Sequence, residues 1–168
     1  MCRAERVDME DLNLFKQIPL FVNFKLTELM SISMVARLEK YSAGETVFNE
    51  GEPGDALYII KSGRVKVTKR DGNAVEHALA YLEKGEYFGE ISLVDQAPRS
   101  ASIKADSDSE LLKIKRTDFK NLIAGNKELE RKFYKSFTEV LCERLRVTNK
   151  NLTFSQEVNT MIQEITKG

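Results

Sequence analysis

The sequence predicts a mainly β protein whose closed β structure is flanked by helices at both ends. Apolar residues recur at helical spacing over residues 10–37 and again over 117–168, whereas between 38 and 116 they form short runs punctuated by glycine. The length of 168 residues and the hydrophobic fraction of 42% are sufficient for one core. We therefore predict a single domain over residues 1–168, with N-terminal helices, a β structure and C-terminal helices in that order.

The N-terminal segment is expected to form two short helices. Apolar residues at helical spacing begin with Leu12 and Phe15 and resume with Leu26 and Leu29. The stretch between them, IPLFVNF, contains a proline, so it should connect the two helices rather than continue either of them.

Six segments between residues 38 and 116 are predicted as strands, because each is short, apolar or alternating, and bounded by turn residues. They are Thr46–Phe48, Leu57–Ile60, Val65–Thr68, Val75–Leu82, Ser100–Lys104 and Glu110–Ile114. The sequence Asp71-Gly72-Asn73 between two of them is typical of a hairpin turn. Strands at this spacing can close as a sandwich, a jelly roll or a barrel.

The C-terminal segment is predicted to form a short helix followed by a long one. Thr117 or Asp118 can cap the short helix, and Ala124-Gly125-Asn126 should end it and cap the next. The apolar stripe that follows implies about 25 helical residues, or roughly 38 Å. Its members are Leu129, Phe133, Phe137, Val140, Leu141, Leu145, Thr148 and Leu152. A stripe of this length can pack on the β structure or contact a second copy of the chain.

Composition disfavours several classes of protein. Lys+Arg 26 against Asp+Glu 26 gives no net charge with which to gather a nucleic acid. Cys2 and Cys142 form no CxxC pair, which argues against a disulfide scaffold or a cysteine-ligated metal, and Cys142 is expected to be a buried apolar residue. No apolar run is long enough to span a membrane and the N-terminus lacks a secretory signal, so a cytoplasmic protein is expected.

The segment Phe88–Ser102, FGEISLVDQAPRSAS, has the residues of a phosphate-binding cassette. Gly89 lets the backbone approach a ligand and can start a short helix whose free N–H groups attract an anion. Arg99 supplies a guanidinium suited to a phosphodiester, with the hydroxyl of Ser100 beside it. Glu90 would repel a phosphate but can accept a hydrogen bond from a sugar hydroxyl. These residues predict a cyclic-nucleotide site; the alternative is an internal ion pair between Glu90 and Arg99.

The cassette and several further motifs resemble those of the cyclic-nucleotide-binding domain family, the type found in catabolite activator protein and in protein kinase A regulatory subunits. The other matching motifs are Ala43-Gly44-Glu45, Glu50–Asp55, Leu57–Ile60 and Ser62-Gly63. The resemblance covers nearly the whole chain, from Asp11 to Leu152. It implies an eight-stranded jelly-roll β-barrel over residues 38–116, with N-terminal helices and a long C-terminal helix.

The resemblance also implies roles for individual residues. Glu90 should bind the ribose 2′-hydroxyl and Arg99 the exocyclic phosphate oxygens. The other residues of the expected site are Gly89, Ile91, Ser92, Ser100 and Ala101 in the cradle, Val67, Leu79 and Ala80 on the barrel wall, and Thr148 and Asn149 on the long helix, where the base would lie. The barrel-wall positions are equally compatible with ordinary core residues.

The residue after Arg99 favours cAMP over cGMP as the ligand, since Arg-Ser-Ala resembles the bacterial activator whereas cGMP sites resemble Arg-Thr-Ala. Asn149 stands where the family has Ser, and because an amide can pair with either purine it leaves both bases open. The ligand is expected to move the C-terminal helix without catalysis and without a metal. The partners we expect are the cyclic nucleotide, an unidentified effector protein and a second copy of the chain. No DNA contact is expected, since few residues follow Leu152.

Other functions on the same fold are a haem sensor with His77 as axial ligand and an interaction module that binds no ligand. A cupin-type metalloenzyme needs two or three histidines, and His77 is the only histidine in the chain. We expect His77 to be a half-buried or surface side chain.

Overall fold

Strands occupy the middle of the chain and helices its two ends. The structure is a computed structural model that describes the backbone of residues 9–72 and 75–166 and the side chains of residues 11–72 and 75–151. The helices are α1 (Met9–Gln17), α2 (Leu26–Val35), α3 (Arg116–Ala124) and α4 (Lys127–Thr166). The strands are β1 (Arg37–Tyr41), β2 (Thr46–Phe48), β3 (Ala56–Ser62), β4 (Arg64–Arg70), β5 (Glu76–Glu83), β6 (Tyr87–Phe88), β7 (Ser102–Ala105) and β8 (Ser109–Lys115). One 3₁₀ turn, Pro19–Phe21, joins α1 to α2. A second 3₁₀ turn, Glu90–Leu93, follows β6.

The strands form two antiparallel sheets, in the orders β1–β8–β3–β6 and β2–β7–β4–β5. This arrangement confirms the predicted mainly β jelly roll with flanking helices. The six strands expected from short apolar runs overlap β2, β3, β4, β5, β7 and β8. The apolar runs did not reveal β1, whose sequence RLEKY is mostly polar, or β6, which has two residues.

Strand β3 is buried on both faces from Ala56 to Ile60, which explains why it is continuously apolar there. One face, with Leu57 and Ile59, packs against a core built from the helices. The other face, with Tyr58 and Ile60, points into the barrel. Six phenylalanines belong to the helical core, namely Phe15, Phe21, Phe24, Phe119, Phe133 and Phe137. Since aromatic rings bury large areas, this core should fix the ends of the barrel firmly.

Helix α4 has 40 residues and so continues beyond the apolar stripe that ends at Leu152, and its described buried residues all lie in its first part. Its buried residues end at Val140, and residues 141–151 are exposed. Cys142 is therefore exposed and not buried, because the apolar stripe continues beyond the contact with the core. The side chain of Leu152 lies outside the described residues, as do Cys2 and Asn73. None of the described helices combines the length and apolarity needed to cross a bilayer.

Polar contacts hold the first turns of α4 to the N-terminal helices. Lys132 Nζ forms an ion pair with Glu28 Oε1 at 2.9 Å, and both side chains are 12% exposed. One turn further along, Asn23 Nδ2 donates a hydrogen bond to Ser136 Oγ at 3.1 Å. The start of α4 is thus held by α2 and by the segment that precedes α2.

The caps of the C-terminal helices follow the prediction in one case out of two. Helix α3 begins at Arg116, with Lys115 as its N-cap and no side-chain cap bond, so Thr117 and Asp118 lie inside its first turn and do not cap it. At α4 the prediction is confirmed, because the N–H of Leu129 donates to Asn126 Oδ1 at 3.1 Å.

Replacing Asn126 with alanine should lower the free energy of unfolding by about 1 kcal/mol, since it removes the side-chain cap from the first turn of α4. Urea unfolding followed by circular dichroism measures the change. Asn126→Asp keeps an acceptor and should retain the parent stability, whereas equal stability of Asn126→Ala and the parent would show that the cap contributes nothing.

Candidate functional site

A cavity of about 640 Å³ opens between the barrel, the turn after β6 and α4. Most of the predicted cassette lines it. The lining residues are Phe48, Val67, Ala80, Leu82, Ile103, Tyr87–Ser92, Ala97–Ala101, Arg144 and Val147. The walls are mainly apolar, with polar groups concentrated in the cassette, which is the usual character of a small-molecule site.

Nine of the twelve predicted site residues line this cavity and three do not. Leu79 is 59% exposed, because Ala80 and Leu82 face the cavity and the register of β5 against β4 shifts at this point. Thr148 and Asn149 are exposed and do not line the cavity, whereas Arg144 and Val147 of the same helix do. Contact of these three residues with a ligand stays a prediction. It requires that β5 or α4 take a different position when the ligand is bound.

Arg99 is buried, with 6% of its surface exposed, and its guanidinium is fixed by neighbouring loops. Nη1 donates to Ser92 Oγ at 2.8 Å, and both terminal nitrogens donate to the carbonyl oxygen of Ala56 at 3.1 Å. Nη2 also donates to Asp55 Oδ1 at 3.3 Å. The N–H of Arg99 donates to the carbonyl oxygen of Glu52 at 2.8 Å, so the backbone is held as well.

The remaining donor of Arg99, Nε, is buried and has no hydrogen-bond partner among the described residues. An unsatisfied buried donor costs about 1–3 kcal/mol, so this N–H strongly favours an acceptor beside it. Burial lowers the pKa of Arg99, and the nearby Tyr58, Asp55 and Glu52 oppose that effect. A guanidinium stays charged at any physiological pH. The site therefore offers a fixed positive charge with one unused N–H.

Gly89 allows the guanidinium to lie directly beneath the turn after β6. Its φ is +75°, and a Cβ placed there would lie 2.6 Å from Arg99 Nη1 and 2.8 Å from the carbonyl oxygen of Ala56. Both the backbone conformation and the space therefore require glycine at this position.

Glu90 does not pair with Arg99, so the alternative of an internal Glu90–Arg99 ion pair is wrong. Glu90 is 2% exposed, and Oε1 accepts a short hydrogen bond from Nη1 of Arg144 on α4. The guanidinium carbon of Arg144 also lies 5.2 Å from the ring centre of Tyr87. We did not identify Arg144 from the sequence, where an arginine on a long helix is typical of a solvated face.

His77 does not line the cavity. It is an exposed side chain, as expected, and its Nε2 lies 2.9 Å from Asp71 Oδ2. Among the described residues there is no group of three or more histidine, cysteine, aspartate or glutamate side chains placed to hold a metal ion.

Comparison with known proteins connects this geometry to a family. The sequence model of the cyclic nucleotide-binding domain matches residues 38–126, which is more than half of the chain. A cAMP-dependent protein kinase regulatory subunit from Aspergillus niger is 37% identical over 117 residues, or 70% of this chain and 28% of that protein. A CRP-like cAMP-activated global transcriptional regulator from Mycobacterium tuberculosis is 38% identical over 112 residues, or 67% of this chain and 48% of that protein.

Among solved structures, the catabolite activator protein of Thermus thermophilus aligns with a TM-score of 0.71 and 33% identity, covering 82% of this chain and 62% of that one. The chain spans about half or less of the length of these two curated relatives. The residues matched by the family model include β2 to β8 and the cassette. The chain belongs to the cyclic nucleotide-binding domain family.

Proposed function

We propose that this chain is a non-catalytic regulatory domain that binds cAMP in the cavity and transmits binding to α4. The observation that carries the proposal is that the buried guanidinium of Arg99, with its unused Nε–H, and the buried carboxylate of Glu90 line one cavity. A phosphodiester supplies the acceptor for the first group and a ribose hydroxyl supplies the donor for the second. The names of the relatives, which are cAMP-dependent or cAMP-activated regulators, support the same ligand.

The nucleotide has a consistent orientation in this cavity. Its phosphate lies at Arg99, where Ser100 and Ala101 add N–H donors, and its ribose lies at Glu90, whose Oε1 is engaged by Arg144 while Oε2 can accept from the 2′-hydroxyl. The base then meets the apolar wall that includes Val67, Ala80 and Val147. Apolar side chains can hold a flat base but cannot distinguish an amino group from a carbonyl group. Base preference therefore depends on Thr148 and Asn149 after α4 turns toward the site.

Helix α4 has the features of the moving part. Its first turns are fixed by the core and by the Lys132–Glu28 ion pair, whereas residues 141–151 are exposed. In that exposed part, Arg144 contacts both Glu90 and Tyr87. Val147, one turn further along, lines the cavity. A ligand that occupies Glu90 and the wall beside Val147 changes both contacts, and this shifts the position of α4 beyond Val140.

Replacing Arg144 with methionine should weaken cAMP binding by about 5- to 30-fold, or roughly 1–2 kcal/mol, because it leaves the Glu90 carboxylate without a cation beside the phosphate. Equilibrium dialysis with labelled cAMP measures the change. Arg146→Met is the matched control, since Arg146 pairs with Glu143 on the exposed face, and it should bind like the parent. Equal affinities for both variants would contradict the role of Arg144.

The exposed stripe on α4 supports a homodimer as part of the proposal. Leu145 is 61% exposed and Leu141 is 37% exposed on the part of α4 that leaves the core. A second copy of this chain, whose formal net charge is zero, meets no net repulsion. The effector protein to which the signal passes is a partner of unknown identity.

A set of melting temperatures tests the proposed function against its alternatives. Cyclic AMP should raise the melting temperature of protein stripped of bound ligand, since a ligand at about 100 times its Kd stabilises the folded state by roughly 2.7 kcal/mol. Cyclic GMP should raise it less, and adenosine, which lacks the phosphate, should have little effect. No shift with either cyclic nucleotide would favour an interaction module without a ligand. A purified protein with a haem absorption band would instead favour the haem sensor, although the position of His77 outside the cavity argues against it.

A further inference from the structure

Three buried aromatic rings pack together, and two of them lie near the guanidinium of Arg99. Phe48 from β2, Tyr58 from β3 and Phe88 from β6 have ring centres 5.2 to 5.8 Å apart, and Tyr58 and Phe88 are nearly parallel. The guanidinium carbon lies 4.1 Å from the ring centre of Phe48 and 5.9 Å from that of Tyr58. The face of Phe48 is therefore the aromatic surface in closest contact with the charge.

This contact matters because Arg99 has little buried negative charge to balance it. The acceptors Ala56 and Ser92 are neutral, and the carboxylate of Asp55 is 59% exposed. Desolvation strengthens the attraction between a cation and the negative face of an aromatic ring. Phe48 thus stabilises the charge without neutralising it, which leaves the guanidinium available to an anion.

Tyr58 is less suited to this role. It lies farther from Arg99, and its ring also faces Lys113, whose Nζ lies 5.4 Å from the ring centre. Burial raises the pKa of the Tyr58 hydroxyl, so Tyr58 contributes no charge of its own at neutral pH. The ring of Tyr58 lies near two cations, Arg99 and Lys113. The ring of Phe48 lies near Arg99 and near no other cation of the described residues.

We propose that Phe48 is a positioning residue whose ring face holds the Arg99 guanidinium flat, keeps its Nε–H clear of protein acceptors and thereby sets the affinity for a cyclic phosphodiester. This inference rests on the proposed function and adds to it. It assigns to β2 a part in ligand binding that lies outside the cassette Phe88–Ser102, and it predicts that the electrons of the ring matter as well as its size.

Stepwise fluorination of the Phe48 ring tests this directly. Each fluorine withdraws electrons from the ring face with little change in shape, so the affinity for cAMP should fall with every fluorine, reaching about a tenfold loss with the trifluorinated ring. The same substitutions at Phe21, a buried ring of the helical core that does not line the cavity, are the matched control and should leave affinity unchanged. Adenosine binding should not depend on fluorination at either position.

The outcomes separate this inference from the proposed function. If the parent binds cAMP but all fluorinated Phe48 variants bind it equally well, the ring fills space and the positioning role is wrong while the proposed function stands. If the parent binds neither cyclic nucleotide, the proposed function fails and this inference fails with it. In the ligand-free protein, the ring should also shift the Nε–H proton resonance of Arg99 upfield. Loss of that shift in Phe48→Leu supports the contact, and its absence in the parent overturns it.

Discussion

Replacing Arg99 with alanine is expected to lower the affinity for cAMP by more than tenfold, at a cost of roughly 2–5 kcal/mol. The phosphate then enters a buried site without its fixed cation. In addition, Ala56 and Ser92 lose the hydrogen bonds that they accept from Arg99 in the parent. Calorimetric titration of the variant measures the loss. Unchanged affinity would mean that the phosphate does not lie at Arg99.

Two further variants test whether the loss of affinity is specific to the Arg99 guanidinium or follows from removing any arginine. Arg99→Lys keeps the charge but loses the fork of donors, so it should bind more weakly than the parent and more tightly than Arg99→Ala. Arg70→Ala removes an exposed arginine of β4 that does not line the cavity, and it should bind like the parent. Circular dichroism of each variant establishes that the fold is retained.

Replacing Gly89 with alanine should reduce both the free energy of unfolding and ligand affinity. The positive φ disfavours any residue with a Cβ, and the added methyl group collides with Arg99 Nη1 and with the carbonyl oxygen of Ala56. Together these effects should cost about 2–5 kcal/mol of stability. They should also displace the guanidinium, so that cAMP binds at least tenfold more weakly, by about 1.4 kcal/mol or more.

Gly44 provides the matched control for this substitution. Its φ is +85°, but nothing lies within 4 Å of a Cβ placed there. Gly44→Ala should therefore carry the backbone cost alone, about 1–2 kcal/mol, and leave ligand affinity unchanged. Urea unfolding measures the stability of both variants, and dialysis measures their affinity for cAMP. The comparison separates the cost of the backbone conformation from the cost of the collision with Arg99. If both variants lose the same stability and bind equally well, the collision with Arg99 has no consequence.

The sequence predicts those parts of the fold and site that depend on local patterns. Glycines beside short apolar runs mark the turns, and FGEISLVDQAPRSAS brings the cradle residues to one cavity because they are close along the chain. Strand β1 escapes the apolar pattern because its residues, RLEKY, are mostly exposed or half-buried at the edge of a sheet. Its place depends on pairing with β8, which is far along the chain.

The residues that sequence reasoning misplaces depend on contacts between distant segments. Arg144 reaches Glu90 across 54 residues, and no local pattern distinguishes it from Arg146 on the same helix. Leu79 was expected in the cavity, but a shift of register in β5 leaves it exposed. Cys142 continues an apolar stripe beyond Val140, where the core that would bury it ends. In each case tertiary packing decides the outcome.

Calorimetric titration of the ligand-stripped parent chain with cAMP tests the central claim most directly. We expect saturable binding of one cAMP per chain, weaker binding of cGMP, and little heat with adenosine, because adenosine has no phosphate to occupy the Arg99 guanidinium. Absence of heat with cAMP, or equal binding of cAMP and adenosine, would contradict it.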